Sequence, residues 1–386
     1  MALMLPLLVA WWTLGLLYWL YRSNRSTVDP TMKIETWAAV NDGLHNSNTD
    51  LIFWREAFYL VHAASPYHLG SKQCRLVLRR SADARQWQTL TEFQMPDQDI
   101  RDPKFAVIGG QLFLYALPNR GLKAVPYATV YSVSDDGETW TRLAPLEPKG
   151  WLFWRPKTRD GIRWYVPAYW HEHGASALLT STDGVAWTEV SRIYTGEAND
   201  ETDIAFLPDG RLLATARLEG RADSPFGDRD AATLLAVAAP PYREWQCTKT
   251  RVTRLDGPAL FNYGGRIFAV ARYQPGRRGL LTRLGSSMSR KRTSLFLVEP
   301  ERLTHLSDLP SAGDTSYAGV VVRGDELMVS YYSSDIDRDY PWVVGMFARS
   351  EIRMARVDLQ TLQVLAERAI GDGNGRSLSA ERRYGA

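Results

Sequence analysis

The chain has 386 residues, 45% of them hydrophobic and 23% charged, which suits several domains or one large repetitive fold and excludes a disordered protein. Its 46 Lys+Arg against 43 Asp+Glu leave a formal charge of +3, too balanced for a surface that grips nucleic acid. With only Cys74 and Cys247 there is no disulfide framework and no cysteine zinc cluster, while 14 Trp, 18 Tyr and 12 Phe favour sheets and sugar-stacking surfaces over helical bundles.

Residues 1–21 (MALMLPLLVAWWTLGLLYWLY) carry no charged side chain. A helix of that length, at ~1.5 Å per residue, reaches about the hydrocarbon thickness of a bilayer. The run meets Arg22 and Arg25 with no small-residue cleavage site, which predicts an uncleaved, single-pass N-terminal membrane anchor rather than a signal peptide. The side of the membrane stays open: the basic flank of Arg22, Arg25 and Lys33 favours a cytoplasmic domain, whereas a role in glycan processing favours the other side. Residues 22–40 read as a juxtamembrane stem.

From residue 41 to 370 one phrase recurs: a small polar or charged cluster, an apolar run, a turn, and a second apolar run. The copies are TDLIFWREAFYLVHA from Thr49, RDPKFAVIGGQLFLYA from Arg101, WRPKTRDGIRWYVPA from Trp154, ETDIAFLPDGRLLATAR from Glu201, LDGPALFNYGGRIFAVAR from Leu255 and TSYAGVVVRGDELMVSYY from Thr315. Taking Asp50, Asp102, Arg155, Asp203, Gly257 and Tyr317 as landmarks, successive intervals are 52, 53, 48, 54 and 60 residues, a near-constant period that marks a repeat architecture. Each unit holds β-rich runs broken by Gly-containing turns and no long 3.6-residue periodicity, so it is a small antiparallel sheet, and about fifty residues make one four-stranded propeller blade. The predicted fold is all-β, a six-bladed β-propeller preceded by one N-terminal transmembrane helix. The polar end, residues 371–386, reads as a disordered tail.

A second repeat, S-x-D-[GA]-x-x-W, runs as SADARQW from Ser81, SDDGETW from Ser134 and STDGVAW from Ser181, with a worn copy ending at Trp245. Three equivalent carboxylates spread around a ring cannot all serve one chemical site. The Asp and Ser of each copy are therefore expected to bond turn amides, with the Trp packing between sheets.

These hairpins, the six blade openings and two further segments resemble the sialidase superfamily of propeller glycosidases, with its Asp-box-type hairpins. In ETDIAFLPDGRLLATAR, Glu201 and Arg217 stand where that family carries its catalytic Glu and one arginine of its carboxylate-binding triad. Arg272 matches another triad arginine, and Tyr317 in TSYAGVVV is similar to the nucleophilic Tyr. The resemblance implies an exo-acting glycoside hydrolase that removes a terminal sugar, acidic in that family and left open between acidic and neutral here. There a neutral Tyr activated by Glu can attack beside a substrate carboxylate that would repel a carboxylate nucleophile. The first blade departs from the pattern: HNSNTD from His45 stands at the place of the first triad arginine, and residues 61–80 contain no aspartate to match the family's acid.

The residues themselves offer Asp50, Asp102 and Glu201 at the openings of the first, second and fourth units, where equivalent positions of a propeller converge on its channel. Such a trio also resembles the base, pKa modulator and acid of five-bladed arabinanase and xylosidase-like glycosidases, whose second blade likewise reads R-D-P. The candidate catalytic residues are Glu201, Tyr317, Asp50 and Asp102, and the candidate substrate contacts are Arg101, Arg155, Arg217, Arg272 and His45. Each has a plainer alternative, the aspartates as turn caps, Tyr317 as a core aromatic and the arginines as counter-charges to Asp102 and Glu201.

Trp151, Trp154, Trp164 and Trp170 are expected to pack between blades rather than to stack on a sugar. His171-Glu172-His173 lacks a third ligand, so neither a metal nor another cofactor is predicted. The basic run over 276–292 (GRRGLLTRLGSSMSRKR) reads as a solvated loop. The expected partners are a glycan or glycoconjugate and, through residues 1–21, a membrane, with no nucleic acid. A glycan-binding propeller without catalysis, or a polysaccharide lyase on the same fold, are the alternatives to hydrolysis.

Overall fold

Alternating β-branched and aromatic runs fold into hairpins wherever the intervening residues supply a turn. Asp99–Ile108 and Gln111–Asn119, for example, are joined by Gly109-Gly110 with φ of +59° and +82°. A tight hairpin turn that follows the right-handed strand twist needs positive φ at both central positions, which glycine adopts without steric cost.

The computed structural model describes residues 4–23, 25–68, 70–119, 128–220, 224–277 and 279–380, and these form six antiparallel sheets. The blades open with inner strands His45–Trp54, Asp99–Ile108, Trp151–Phe153, Asn199–Phe206, Asp256–Tyr263 and Thr315–Arg323, numbered 1 to 6 in that order. Blades 1, 2, 4, 5 and 6 have four strands each, and blade 3 adds a short fifth, Lys157–Thr158. The predicted six-bladed, all-β propeller is therefore present.

The core is the set of blade interfaces rather than a single centre. Between blades 1 and 2, Val61, Leu76 and Leu78 pack against Leu112, Leu114 and Val130, and Leu76, Leu78, Leu112 and Leu114 are all at 0% exposure. Burying a side chain of this size contributes about 1.5–3 kcal/mol, so these interfaces are a main source of the stability of the ring. The aspartates of the repeated hairpins cap turns as expected. Asp83 Oδ1 accepts the amides of Arg85 and Gln86 at 2.8 and 2.9 Å, and Asp136 and Asp183 do the same in their own blades.

The ring closes by a contact the sequence reading had assigned to a stem. Ile34–Val40 is the outermost strand of blade 6, antiparallel to Glu351–Asp358, so that blade is built from both ends of the chain. After Asp358 the chain continues as a helix, Leu359–Ala380, where a disordered tail was expected from 371; residues 381–386 lie outside the described residues.

The transmembrane expectation is not upheld. The N-terminal helix is Met4–Tyr21, and residues 1–3 of the expected span lie outside the described residues. Among the described residues no helix is long and apolar enough to cross a membrane.

Candidate active site

Five of the six inner strands, all but that of blade 3, share a defect that re-aims side chains. Their pairing register breaks between Ser47 and Thr49, Arg101 and Lys104, Asp200 and Thr202, Asp256 and Ala259, and Ser316 and Gly319. The residues inside these breaks include Asn48, Asp102, Glu201, Gly257 and Tyr317. A bulge leaves its residue unpaired and bends the strand, which is how sheets re-aim a side chain at a site. Asn48, Asp102 and Tyr317 take left-handed φ values of 44°, 49° and 46°, a conformation that costs a non-glycine residue on the order of 1–3 kcal/mol and persists only where the surroundings enforce it.

Tyr317 and Glu201 meet there. The Tyr317 hydroxyl donates to Glu201 Oε1 at 2.5 Å, and the other carboxylate oxygen accepts the Gly257 amide at 2.7 Å. Arg217 Nη1 stands 2.9 Å from Glu201 Oε1 and donates to the Tyr317 hydroxyl at 3.4 Å. Burial drives the Glu201 pKa up and Arg217 opposes it, but the charges of Asp200, Asp256 and Asp102 add to the rise, so it is pushed up to about 7. Burial and the Glu201 charge hold the Tyr317 phenol well above its ordinary value, against the pull of Arg217 and Arg272. The pair is therefore a neutral phenol hydrogen-bonded to a carboxyl group poised to exchange its proton near neutral pH.

Asp102 joins this mouth, with Asn48 donating its side-chain amide to Asp102 Oδ1. Lys104, which the sequence reading passed over, lies buried beside it. Its Nζ sits 4.3 Å from the Trp154 ring centroid and donates to the Pro103 carbonyl at 3.1 Å. Burial and Arg155 lower the Lys104 pKa to about 8 against the attraction of Asp102, Asp50 and Glu201. A lone Lys inside the apolar run that follows R-D-P was the signal for it.

Asp50 does not join the reacting group. Its Oδ2 accepts the Phe105 amide at 2.7 Å and its Oδ1 accepts Arg155 Nη2 at 2.7 Å, so both oxygens are occupied by the scaffold. Asp203 repeats the arrangement, accepting the Leu260 amide of the next blade at 2.7 Å, with Arg155 Nη1 3.5 Å away. Arg155, expected to hold substrate, is thus a strut. It links Asp50 to Asp203 and also donates to the carbonyls of Pro258 and Ala318.

The other arginines expected to bind substrate are likewise committed to carboxylates of the chain. Arg101 forms a fork with Asp99 at 3.0 and 2.5 Å and donates to the His68 carbonyl. Arg217 clasps Asp200 through Nε at 2.6 Å and through a second, shorter contact. Arg272 donates to Asp314 Oδ1 at 3.0 Å and to the Tyr332 hydroxyl at 2.7 Å, with its guanidinium carbon 5.0 Å from the Tyr317 ring centroid. His45 lies below the mouth, fully buried, with its Nδ1 2.7 Å from the Ala348 carbonyl. Of the tryptophans, Trp154 is 1% exposed and donates to the Pro258 carbonyl, a packing role as expected.

No protein-family profile matches the sequence, and a search of curated proteins finds no relative. Solved structures do share the fold. A protein of unknown function from Dyadobacter fermentans superposes with a TM-score of 0.62 at 14% identity, covering 86% of this chain and 100% of that one. The sialidase of Trypanosoma rangeli gives a TM-score of 0.61 at 12% identity over 92% of this chain, which spans 61% of the sialidase's length. An α-L-arabinofuranosidase from Fusarium graminearum gives 0.55 at 12% identity over 88% of this chain and 98% of that one. At these identities the likeness is one of fold alone, a six-bladed β-propeller.

Proposed function

We propose that the chain is an exo-acting glycoside hydrolase that removes a terminal sugar through Tyr317, Glu201 and Asp102. The single observation that carries this reading is the 2.5 Å hydrogen bond from the Tyr317 hydroxyl to Glu201 at the mouth of a propeller. In the first step the Tyr317 oxygen bonds to the anomeric carbon as its proton passes to Glu201, and the departing glycosidic oxygen takes a proton from solvent, relayed by Asp102, as its bond to that carbon breaks. In the second step water attacks the glycosyl-tyrosine, gives a proton to Asp102 and releases the sugar, while Glu201 returns a proton to Tyr317. Atoms and charges balance over the two displacements.

The sugar is neutral at its anomeric centre in this proposal, in contrast to the acidic substrate of the sialidase superfamily. Arg101, Arg217 and Arg272 are each already paired with an aspartate, and His45 occupies the first-blade position without reaching the mouth. A substrate carboxylate would have to share each guanidinium with a buried aspartate that already neutralises it, which weakens the attraction for an acidic sugar.

The test is turnover of a panel of aryl glycosides, neutral and sialylated, by the wild-type chain and by Glu201→Gln. The expected outcome is release of a saturated sugar from a neutral glycoside, lost by about 10²–10⁴-fold in the variant. Equal turnover by Glu201→Gln removes the residue from the mechanism. Hydrolysis confined to sialosides overturns the substrate class, and an unsaturated product indicates a lyase. Glycan retention without any product marks a binding propeller.

A further inference from the structure

Beneath the mouth, where blade 6 meets blade 1, two imidazoles and a carboxylate converge. His45 begins the inner strand of blade 1, His68 lies in the loop after its second strand, Ala57–Ser65, and Asp314 immediately precedes the inner strand of blade 6. His45 Nε2 is 3.1 Å and His68 Nδ1 2.5 Å from the same oxygen, Asp314 Oδ2, and all three atoms lie within 4.8 Å of one another. The two rings stand edge to face, 5.6 Å apart with an interplanar angle of 83°, as rings do when their nitrogens point at a shared centre.

Three buried polar atoms face this centre. His45 Nδ1 is 2.7 Å from the Ala348 carbonyl, which can only accept, so Nε2 is the ring nitrogen turned toward the carboxylate oxygen. His45 Nε2, His68 Nδ1 and Asp314 Oδ2 are buried, and none of them makes a well-formed hydrogen bond. Asp314 Oδ1, by contrast, is fully served, accepting from Trp342 Nε1 at 2.7 Å, the Tyr332 hydroxyl at 2.9 Å and Arg272 at 3.0 Å. One nitrogen bonded to a backbone carbonyl while the other faces a shared centre, and a carboxylate held through its distal oxygen, is how the outer shell of a metal site orients its ligands.

We propose that His45, His68 and Asp314 bind one divalent first-row metal ion of the zinc class. Two imidazole nitrogens and one carboxylate oxygen, with no thiolate, suit such an ion in four-coordinate geometry with one position left for water. Bonds of ~2.0–2.2 Å at tetrahedral angles place ligand atoms roughly 3.4 Å apart, so seating the ion moves His68 away from Asp314 by less than about 1 Å. Arg272 is the nearest competing cation, and its charge is shared between Asp314 Oδ1 and Asp256, 3.7 Å away. The ion touches no reacting atom. It pins the seam of the ring three residues before Tyr317, so its role is to position that residue's left-handed backbone and the Arg272 guanidinium over its ring.

The full chain, stripped with a chelator and dialysed against micromolar Zn²⁺, is expected to retain one equivalent by elemental analysis and to gain roughly 3 °C in unfolding midpoint. Co²⁺ in place of Zn²⁺ is expected to give the visible absorption of a four-coordinate nitrogen and oxygen site. His45→Gln and His68→Gln lose at least tenfold in affinity. His173→Gln, at a second cluster with Asp200 and Glu219, leaves binding unchanged. If the wild-type chain retains no metal and its midpoint does not move, the trio is a proton-linked imidazole and carboxylate cluster and the proposal is overturned. Retention equal to wild type in both histidine variants overturns it as well. Should those variants fail to fold, absence of the Co²⁺ spectrum in the wild-type chain decides against it.

Discussion

Gly257 makes room for Tyr317: a Cβ built on Gly257 would lie 2.7 Å from Cγ of the Tyr317 ring, and the Gly257 amide donates to the very carboxylate that accepts the Tyr317 hydroxyl. Gly257 also has a φ of +60°, so a side chain there meets both the ring and an unfavourable backbone region. The residue that supports the candidate nucleophile is thus one with no side chain, on the neighbouring blade.

Gly257→Ala is therefore expected to cost about 1–3 kcal/mol of stability and to lower turnover by on the order of 10²-fold, because a nucleophile displaced by even 1 Å loses its alignment. Thermal unfolding together with steady-state kinetics checks both. Wild-type turnover in a folded Gly257→Ala chain would mean that the position of Tyr317 does not govern the reaction.

The titration of Glu201 makes a prediction with a definite sign. Its folded-state pKa of about 7 lies above the ordinary carboxyl value of 4.5, so from about pH 4.5 to 7 the folded chain holds a proton that the unfolded chain has released. Stability from this group falls as pH rises through that window. Glu201→Gln, which never ionises, is expected to unfold later than wild type at pH 8, by on the order of 1–3 kcal/mol, and to show much less difference at pH 4. Activity runs the other way, rising as Glu201 loses its proton with an apparent pKa near 7. Parallel unfolding curves at both pH values would contradict the shift.

Asp50 and Glu201 are separable by experiment. Asp50→Ala leaves Arg155 facing Asp203 alone and the Phe105 amide unpaired, and breaking a buried pair of this kind costs about 3–5 kcal/mol. The expected signature is a lowered unfolding midpoint, with the surviving folded fraction retaining turnover. A variant of unchanged stability with abolished turnover would return Asp50 to the chemistry.

Ring closure is tested from the N-terminus. A chain beginning after residue 33 keeps Ile34–Val40 and its ladder with Glu351–Asp358, whereas one beginning after residue 40 exposes the edge of blade 6. The first is expected to fold as a monomeric propeller and the second to aggregate. Equal solubility and equal unfolding midpoints for the two would show that the closing strand contributes nothing.

What the sequence reveals and what it hides follow from the range of the interactions. The blade phrases are legible because a period near fifty residues is written in local apolar runs and turns. The closing strand is not, because Ile34 finds its partner at Val357, at the other end of the chain. Asp50 and Asp102 look alike in sequence, both opening an inner-strand phrase. They part only when the Phe105 amide of the neighbouring blade takes one Asp50 oxygen and Arg155 takes the other. Glu201, Arg217, Arg272 and Tyr317 stood out through the resemblance of their segments to the sialidase superfamily. Asn48 and Gly257 did not, since a bulge depends on strand register and leaves no composition signal, whereas Lys104 was marked only as a lone charge within an apolar run. His68 and Asp314 belong to loops of different blades, and only the folded ring brings them to His45.

The most direct test of the Tyr317 and Glu201 pairing is to trap the covalent step. Incubating the wild-type chain with a panel of 2-deoxy-2-fluoroglycosyl fluorides and measuring intact and peptide masses should show one glycosyl adduct on Tyr317, absent from Tyr317→Phe and slow to form in Glu201→Gln. An adduct on another residue, or undiminished glycoside turnover by Tyr317→Phe, would contradict the account.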